Sequence, residues 1–472
     1  MTTFDLLVIG GGWGGYTAAL TFAEGGGRVG LVEMDKVGGV CLHRGCIPTK
    51  ALLETARALR SVSDAGRLGV QVGTAQLDWP QALANRDAIV ARLLAGMEQA
   101  LAGAKVERLD GTATLDGERS VRVKPKRGKV IRVEGKALII ATGSEPATLP
   151  FLPIDGRRVI TSDDALSVKP PKRAIIVGGG AVGMEFASLW TDLGSAVTVL
   201  EALPSILPQE DRDVARVLVR ALRERGAMIE TGATIDAASV QVTSRSVRME
   251  YEVDDERRTA RGDVVLVATG RTPRSASLDL GAGGVSSDGA AVRVDASMAT
   301  SAADVYAVGD VTGGLQLAHV AAAEGRAVAQ RLLGKEPATI PAEDMPRTVY
   351  TTPEVASIGL TEQEAKSAGR QVQVGRARFA VNARALIHGD ADGLVKIVAD
   401  ASSGDVLGGH IVGAGATEMI GQLSVARFLN ASLWELATAV QPHPTLSEAV
   451  SEAAQAALRP RRRVGGRSAG PQ

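Results

Sequence analysis

Phe4-Asp5-Leu6-Leu7-Val8-Ile9-Gly10-Gly11-Gly12-Trp13-Gly14-Gly15 is the stretch from which the fold can be read. The apolar run reads as a short strand, the glycines as a tight turn, and the segment behind them as a helix. A second strand follows at Arg28-Val29-Gly30-Leu31-Val32-Glu33. The same unit returns later. A strand at 173–177 precedes Gly178-Gly179-Gly180-Ala181-Val182-Gly183, and the strand after it ends at Glu201. Glycines and acidic residue recur at one constant offset: 10 to 178, 12 to 180, 15 to 183, and 33 to 201. A shared offset points to two homologous nucleotide-binding units rather than two chance matches.

One G-x-G-x-x-G is weak evidence, because Gly turns are common. Here each copy follows a strand, opens a helix, and meets an acidic residue at the end of the next strand, which completes the dinucleotide fingerprint. Gly10 and Gly178 permit the turn, Gly12 and Gly180 let backbone approach a pyrophosphate, and Gly15 and Gly183 allow close helix–strand packing. The free N–H groups and dipole of the helix start favour the anion. Glu33 and Glu201 can accept hydrogen bonds from ribose hydroxyls; the competing reading is that they only cap strand ends. A 2′-phosphate would be repelled by Glu201 and would want an Arg nearby. Residues 202–211 hold no Lys or Arg, so the second site is expected to prefer NAD to NADP.

A second repeat lies outside the fingerprints. KALIIATGSEP at 136–146 resembles DVVLVATGRTP at 263–273, and residues 113–133 and 241–261 alternate as antiparallel strands do. A further strand ends in Val308-Gly309-Asp310, and a helix is expected from about 317 to 333. A Pro-rich connection at 337–353 marks a boundary. Beyond it, strands at 395–400 and 406–413 and helices at 417–430 and 446–458 suggest an α+β unit. The Arg-rich tail from Arg459 is expected to be disordered.

With 472 residues the chain is too long for one core, and three or four units are expected. It carries 53 basic and 53 acidic residues, so nothing points to nucleic acid or an anionic membrane as a partner. No apolar run has the length of a membrane span, and Met1-Thr2-Thr3-Phe4-Asp5 lacks the basic start of a signal peptide; a cytoplasmic location is expected.

The chain has only two Cys, both in Gly38-Gly39-Val40-Cys41-Leu42-His43-Arg44-Gly45-Cys46-Ile47-Pro48-Thr49-Lys50. A lone close pair suggests redox chemistry or a metal. A disulfide between them would close a very small ring, add little loop-entropy stabilisation and reduce easily. Pro48 suits the first turn of a helix, which would put Cys46 near a helix N-terminus, where a thiolate is stabilised. Zinc ligation by Cys41, His43 and Cys46 lacks a nearby fourth ligand, and no metal is expected. Inert core thiols fit poorly with the flanking glycines. Near the other end, His443-Pro444-Thr445-Leu446-Ser447-Glu448 offers an imidazole with a carboxylate close behind it, a base and its orienting group. Thr445 to Glu448 also reads as a capping box, and from the residues alone the two readings are even.

In this order, the fingerprint, G-G-x-C-L-x-x-G-C-I-P-T-K, the second fingerprint and H-P-T-L-S-E resemble the pyridine nucleotide–disulfide oxidoreductases over about residues 4–458. The I-P-T-K ending and the 443–448 motif are most similar to the dihydrolipoyl dehydrogenase branch. The resemblance implies an α/β fold. It places an FAD domain at 1–149 and 274–345, an inserted NAD domain at 150–273, and a dimerisation domain at 346–459. Gly10, Gly12, Gly15 and Glu33 would bind FAD, joined by Lys50, Gly111, Thr142, Gly143, Ser144, Asp310, Gln316, Leu317, Ala318 and His319. Gly178, Gly180, Gly183, Glu201 and Gly270 would bind NAD. Cys41 would exchange with substrate and Cys46 would face the flavin. Lys50 would pair with Glu185. His443, supported by Glu448, would be the base and would come from the second subunit of a homodimer. The implied substrate is dihydrolipoamide on an acyltransferase or carrier protein of a 2-oxo acid dehydrogenase or glycine cleavage system, with no lipoyl domain expected in this chain.

Some positions depart from the family pattern. Trp13 stands where a small residue or Pro is usual and is expected to change packing over the FAD pyrophosphate without abolishing binding. Gln441 replaces a common second His, and His43 a common Asn. Ala181 is too small to form a lid over the nicotinamide pocket. A glutathione-reductase-like enzyme or a mainly structural flavoprotein subunit of a large complex are the rival readings. Relatives acting on mercury carry C-terminal Cys that this chain lacks, and a soluble transhydrogenase would lack the Cys pair.

Overall fold

The computed structural model describes residues 2–338 and 341–459; the Arg-rich tail at 460–472, expected to be disordered, lies outside them. By contacts the chain forms two compact units. One runs to Leu207 and resumes over Leu222–Ala342; the other comprises Pro208–Ala221 and the chain from Glu343 onward.

In the first unit, β1 (Thr2–Ile9) runs into the Gly turn, α1 (Trp13–Glu24) follows, and β2 (Val29–Glu33) returns parallel to β1 with Leu6 opposite Val29. β1 is flanked on its other side by Ile131–Ile140, also parallel, with Leu6 opposite Ala137. These strands belong to a seven-stranded sheet. Its hairpin strands Thr112–Leu115 and Ser120–Lys124 are antiparallel, as the alternation over 113–133 indicates. β1 is apolar on both faces because the sheet is covered on both: Leu6 and Val8 join one core cluster, Leu7 and Ile9 another.

The second fingerprint builds a separate five-stranded parallel sheet in the order Met228–Thr231, Ala196–Glu201, Arg173–Val177, Val264–Val267, Val159–Ile160. The strands after the two A-T-G repeats, Ser144–Pro146 and Arg271–Pro273, pair antiparallel with each other. The two repeated segments therefore meet in space, which their similarity alone does not require. No helix among the described residues is long and apolar enough to cross a membrane.

The second unit is a five-stranded antiparallel sheet packed against the helices Ala416–Phe428, Leu433–Thr438 and Glu448–Leu458. The expected Pro-rich connection contains an edge strand, Arg347–Val349, which Pro346 precedes and does not interrupt. Gly375 lies so close to the last helix that a Cβ there would meet the Ala453 carbonyl oxygen at 1.8 Å.

A buried ionic group lies in this unit. Lys396, almost wholly enclosed, donates to Asp211 at 2.8 and 2.9 Å and to Asp213 at 2.9 Å, and pairs with Glu362 at 2.8 Å. His410 beside it is fully buried, and its Nε2 lies 3.0 Å from the Leu360 carbonyl oxygen. Burial holds the His410 pKa down at about 4, with Asp211 opposing the shift and Arg347 and Lys396 reinforcing it. The unfolded chain therefore takes a proton on this ring first as pH falls through 6.5, and the fold loses stability from there towards pH 4. Linkage puts the loss near pH 5 at about 2 kcal/mol. Glu210, whose carboxyl burial pushes upward, acts in the opposite sense. Denaturant titrations at pH 7 and pH 5 are expected to show a pH-dependent loss in the parent that is about 2 kcal/mol smaller in His410→Gln.

Candidate active site

The two fingerprints share one backbone geometry. Gly10 and Gly178 adopt φ of +103° and +108°, and a Cβ on them would sit 2.3 and 2.4 Å from the carbonyl oxygens of Ala141 and Ala268. A Cβ on Gly15 or Gly183 would strike the oxygen of Gly10 or Gly178 at 1.9 or 2.0 Å. Gly12 and Gly180 are different, since a Cβ there would meet nothing within 4 Å. They cap helices that have no side-chain cap and no acidic residue in the first turn. Free N–H groups over open space form a cradle for an anion. The residues present therefore fit a dinucleotide pyrophosphate at both turns.

Glu33 and Glu201 are 7% and 8% exposed. Glu33 accepts from the Gly11 N–H at 2.7 Å and the Asp35 N–H at 2.8 Å; Glu201 accepts from Gly179 and, at 2.7 Å, from Leu203. Each carboxylate thus ties its own Gly turn to the loop after the strand, a job that the reading as a strand-end cap or ribose acceptor did not foresee. Each oxygen keeps a further lone pair for a hydroxyl.

The Cys segment starts from the first turn. The Gly38 N–H donates to the Gly11 carbonyl at 2.8 Å, and Gly39 lies so close that a Cβ there would be 2.9 Å from Gly12 Cα. This seats α2 (Gly39–Arg44), which carries Cys41, against the start of α1. α3 (Cys46–Asp64) begins at Cys46 itself, as the Pro48 signal suggested. Cys41 and Cys46 are both partly buried and lie close enough for each to shift the other's pKa. Cys41, first, lowers the Cys46 pKa to about 7, against burial and with help from Lys50, while Cys46 and burial push Cys41 up. Above about pH 7 the pair therefore carries its charge on Cys46, at a helix N-terminus where the dipole favours it.

Lys50, one turn further along α3, binds both oxygens of Glu185, at 2.7 and 2.8 Å. Glu185 lies buried on the helix Ala181–Asp192 of the second fingerprint. The ion pair thus links the two nucleotide folds beside the sulfurs.

The second A-T-G segment brings in a residue that sequence reasoning missed. The half-buried Arg271 donates to the Ser144 hydroxyl at 2.7 Å and to its carbonyl at 3.0 Å, and the Ser144 hydroxyl donates to Asp310. Burial lowers the Arg271 pKa, which Asp310, Asp163 and Cys46 oppose. The available signal was a charged residue inside a repeat whose other copy carries Ser144. Thr142 donates to the Arg274 carbonyl at 2.6 Å, and Gly111 donates to the Glu33 carbonyl at 2.9 Å. Gly143 and Gly270 have positive φ and open space where a Cβ would be. Gln316 reaches the Arg271 carbonyl at 3.4 Å, and Leu317 caps the helix that Ala318 and His319 begin.

In the second unit, His443 Nδ1 lies 2.9 Å from Glu448 Oε1, with the ring 73% exposed. The Thr445 N–H, first, and His443, second, hold the Glu448 carboxyl below the usual range. The capping box is half formed. Glu448 accepts from the Thr445 N–H at 2.8 Å, but the Thr445 hydroxyl turns back to the Pro442 carbonyl and Ser447 is the N-cap. Glu448 therefore serves both the helix start and the imidazole. No group of His, Cys, Asp and Glu among the described residues could hold a metal.

Residues 4–325 match the family model of the pyridine nucleotide-disulphide oxidoreductases, and residues 345–454 match the dimerisation domain of that family. The chain belongs to the pyridine nucleotide-disulphide oxidoreductase family. Among its relatives is a dihydrolipoyl dehydrogenase of Bacillus subtilis, 38% identical, covering 97% of this chain and 98% of the relative. A dihydrolipoyl dehydrogenase of Chlorobaculum tepidum is 41% identical over 96% of this chain and 97% of its own. Among solved structures, LpdA from Mycobacterium tuberculosis superposes with a TM-score of 0.88 at 30% identity, covering 96% of this chain and 99% of that one. The flavoprotein disulfide reductase RclA from Escherichia coli does so with a TM-score of 0.85 at 29% identity, with the same coverage. The α/β fold with a dimerisation domain expected from the sequence is the fold of this oxidoreductase family.

Proposed function

We propose that this chain is a dihydrolipoyl dehydrogenase, which oxidises protein-bound dihydrolipoamide to lipoamide and reduces NAD. One observation carries the reading: Cys41 and Cys46 lie together at the start of α3, with the Lys50–Glu185 ion pair alongside and an open Gly turn against α2. FAD is assigned to the first fingerprint, with Glu33, Gly111, Thr142, Gly143, Ser144, Asp310 and residues 316–319; NAD is assigned to the second, with Glu201 and Gly270. The flavin, when bound, supplies the two-electron carrier between sulfur and nicotinamide. Residues 1–149 with 274–345 are assigned to the flavin domain, 150–273 to the NAD domain and 346–459 to dimerisation.

The residues divide the work as follows. In the oxidised enzyme Cys41 and Cys46 form a disulfide. His443 of a second copy takes a proton from the incoming dithiol, with Glu448 holding Nδ1 so that Nε2 faces the substrate. The substrate sulfur bonds to Cys41 Sγ as the Cys41–Cys46 bond breaks, and Cys46 leaves as a thiolate. The second substrate sulfur then displaces Cys41 and closes the lipoyl disulfide. The protein keeps the electron pair as two reduced sulfurs, with Lys50 offsetting the charge on Cys46.

A homodimer fits both the dimerisation-domain match and the apolar surface of the second unit, where Trp434 and Val440 are 64% and 97% exposed. The lipoyl group is taken to arrive on an acyltransferase or carrier protein, and the location is taken to be cytoplasmic. Steady-state assays test the reading against its rivals. The reading expects dihydrolipoamide turnover by the isolated protein and at least roughly tenfold higher kcat/KM with NAD than NADP, about the effect of one repelled charge. Glutathione disulfide reduction with NADPH would favour the reductase alternative, and absence of any turnover the structural-subunit alternative.

A further inference from the structure

Arg271 starts from a backbone held on both sides. Its strand, Arg271–Pro273, pairs antiparallel with Ser144–Pro146. The Ala147 N–H donates to the Gly270 carbonyl at 3.0 Å, and the Arg274 N–H donates to the Gly143 carbonyl at 2.9 Å. The guanidinium, on a side chain 15% exposed, then forks onto one residue. Its Nε donates to the Ser144 hydroxyl at 2.7 Å and a terminal nitrogen donates to the Ser144 carbonyl at 3.0 Å. A guanidinium can only donate, so the Ser144 oxygen must accept from it and send its own proton elsewhere. That proton goes to Asp310 Oδ2. Ser144 is fully buried, so bulk water does not compete for the hydroxyl.

The direct separation of Arg271 from Asp310 is 4.0 Å, at the limit of an ion pair. The guanidinium therefore reaches the carboxylate through Ser144. Oδ2 is fixed by the hydroxyl, and among the described residues nothing donates to Oδ1. Asp310 lies in the turn after the strand Val305–Ala307, which runs parallel beside Ile131–Ile140. Ala307 is opposite Ile140, and Ile140 is opposite Ile9. Asp310 thus leaves the sheet at the same end as the Gly10 turn, the end at which such sheets bind their ligands.

We propose that Arg271 is a positioning residue for the flavin: by locking Ser144 it holds Asp310 in place, with Oδ1 left to accept from a flavin hydroxyl. The proposal rests on the assignment of FAD to the first fingerprint and Asp310. A carboxylate already locked does not have to be ordered when the cofactor binds. Without the lock, affinity falls with the fraction of time the carboxylate is correctly placed. Lysine could supply the charge but not the fork, because an ammonium lacks the planar pair of donors.

The test is flavin release from full-length holoenzyme after dilution, followed by the rise in free-FAD fluorescence. Arg271→Met is expected to release FAD about tenfold faster, as for a carboxylate correctly placed a tenth of the time. Arg271→Lys keeps the charge and the stem, serves where Arg271→Met fails to fold, and is expected to release as fast. Asp310→Ala is expected to release at least as fast, and adding Arg271→Met to it is expected to change the rate no more, since the lock then has nothing to hold. Parental release by Arg271→Lys or Arg271→Met overturns the role of Arg271. Additive losses in the double variant overturn it too, because an independent structural effect would add. Parental release by Asp310→Ala overturns the flavin assignment of Asp310, on which the proposal stands.

Discussion

Cys41→Ser is expected to fold, bind flavin and lose dithiol oxidation by on the order of 10⁴-fold or more, the scale of a missing nucleophile. Cys41 sits on α2, next to the Gly turn but outside its cradle, so flavin binding does not need its sulfur. A serine oxygen cannot form the mixed disulfide, so the first exchange has no product. NADH formation from dihydrolipoamide, measured alongside flavin content, checks both parts. Turnover near that of the parent would exclude Cys41 as the exchanging sulfur.

His443→Gln is expected to lower the dithiol-dependent kcat by about 10²–10⁴-fold, the usual contribution of a positioned base. Reduction of a small artificial acceptor such as ferricyanide by NADH should stay within about twofold, because it needs no dithiol deprotonation. The split between the two assays is the informative readout. A general loss of stability would lower both, while loss of the base lowers one. The fold should survive the substitution, because little packing is removed with a side chain 73% exposed. Equal loss in both assays would move His443 from base to scaffold.

Much of this was legible in the sequence because the deciding interactions are local. The turn at Gly10 needs φ of +103°, and Gly15 must leave room for the Gly10 oxygen, so strand, turn and helix are written in adjacent residues. The Lys50–Glu185 pair came from a family likeness rather than from spacing, since 135 residues separate the partners. Other features depend on contacts that no local pattern records. Glu33 and Glu201 bind their own Gly turns through tertiary geometry set by the parallel sheet. Arg271 meets Ser144 because two distant strands pair. Trp13 looked like a packing change over the pyrophosphate, and its edge-on contact with Tyr16 and the burial of its indole nitrogen show only in the folded chain. The Thr445 hydroxyl satisfies Pro442 before it can cap the helix, so the motif is half a capping box.

Thiol mapping tests the central claim most directly. Oxidised holoenzyme is treated with iodoacetamide before and after one equivalent of dihydrolipoamide under anaerobic conditions, and the labelled peptides are identified. The account predicts no label on Cys41 or Cys46 before the dithiol and label appearing on the pair afterwards. Label on both cysteines before any dithiol is added, in enzyme that still turns over, would contradict it.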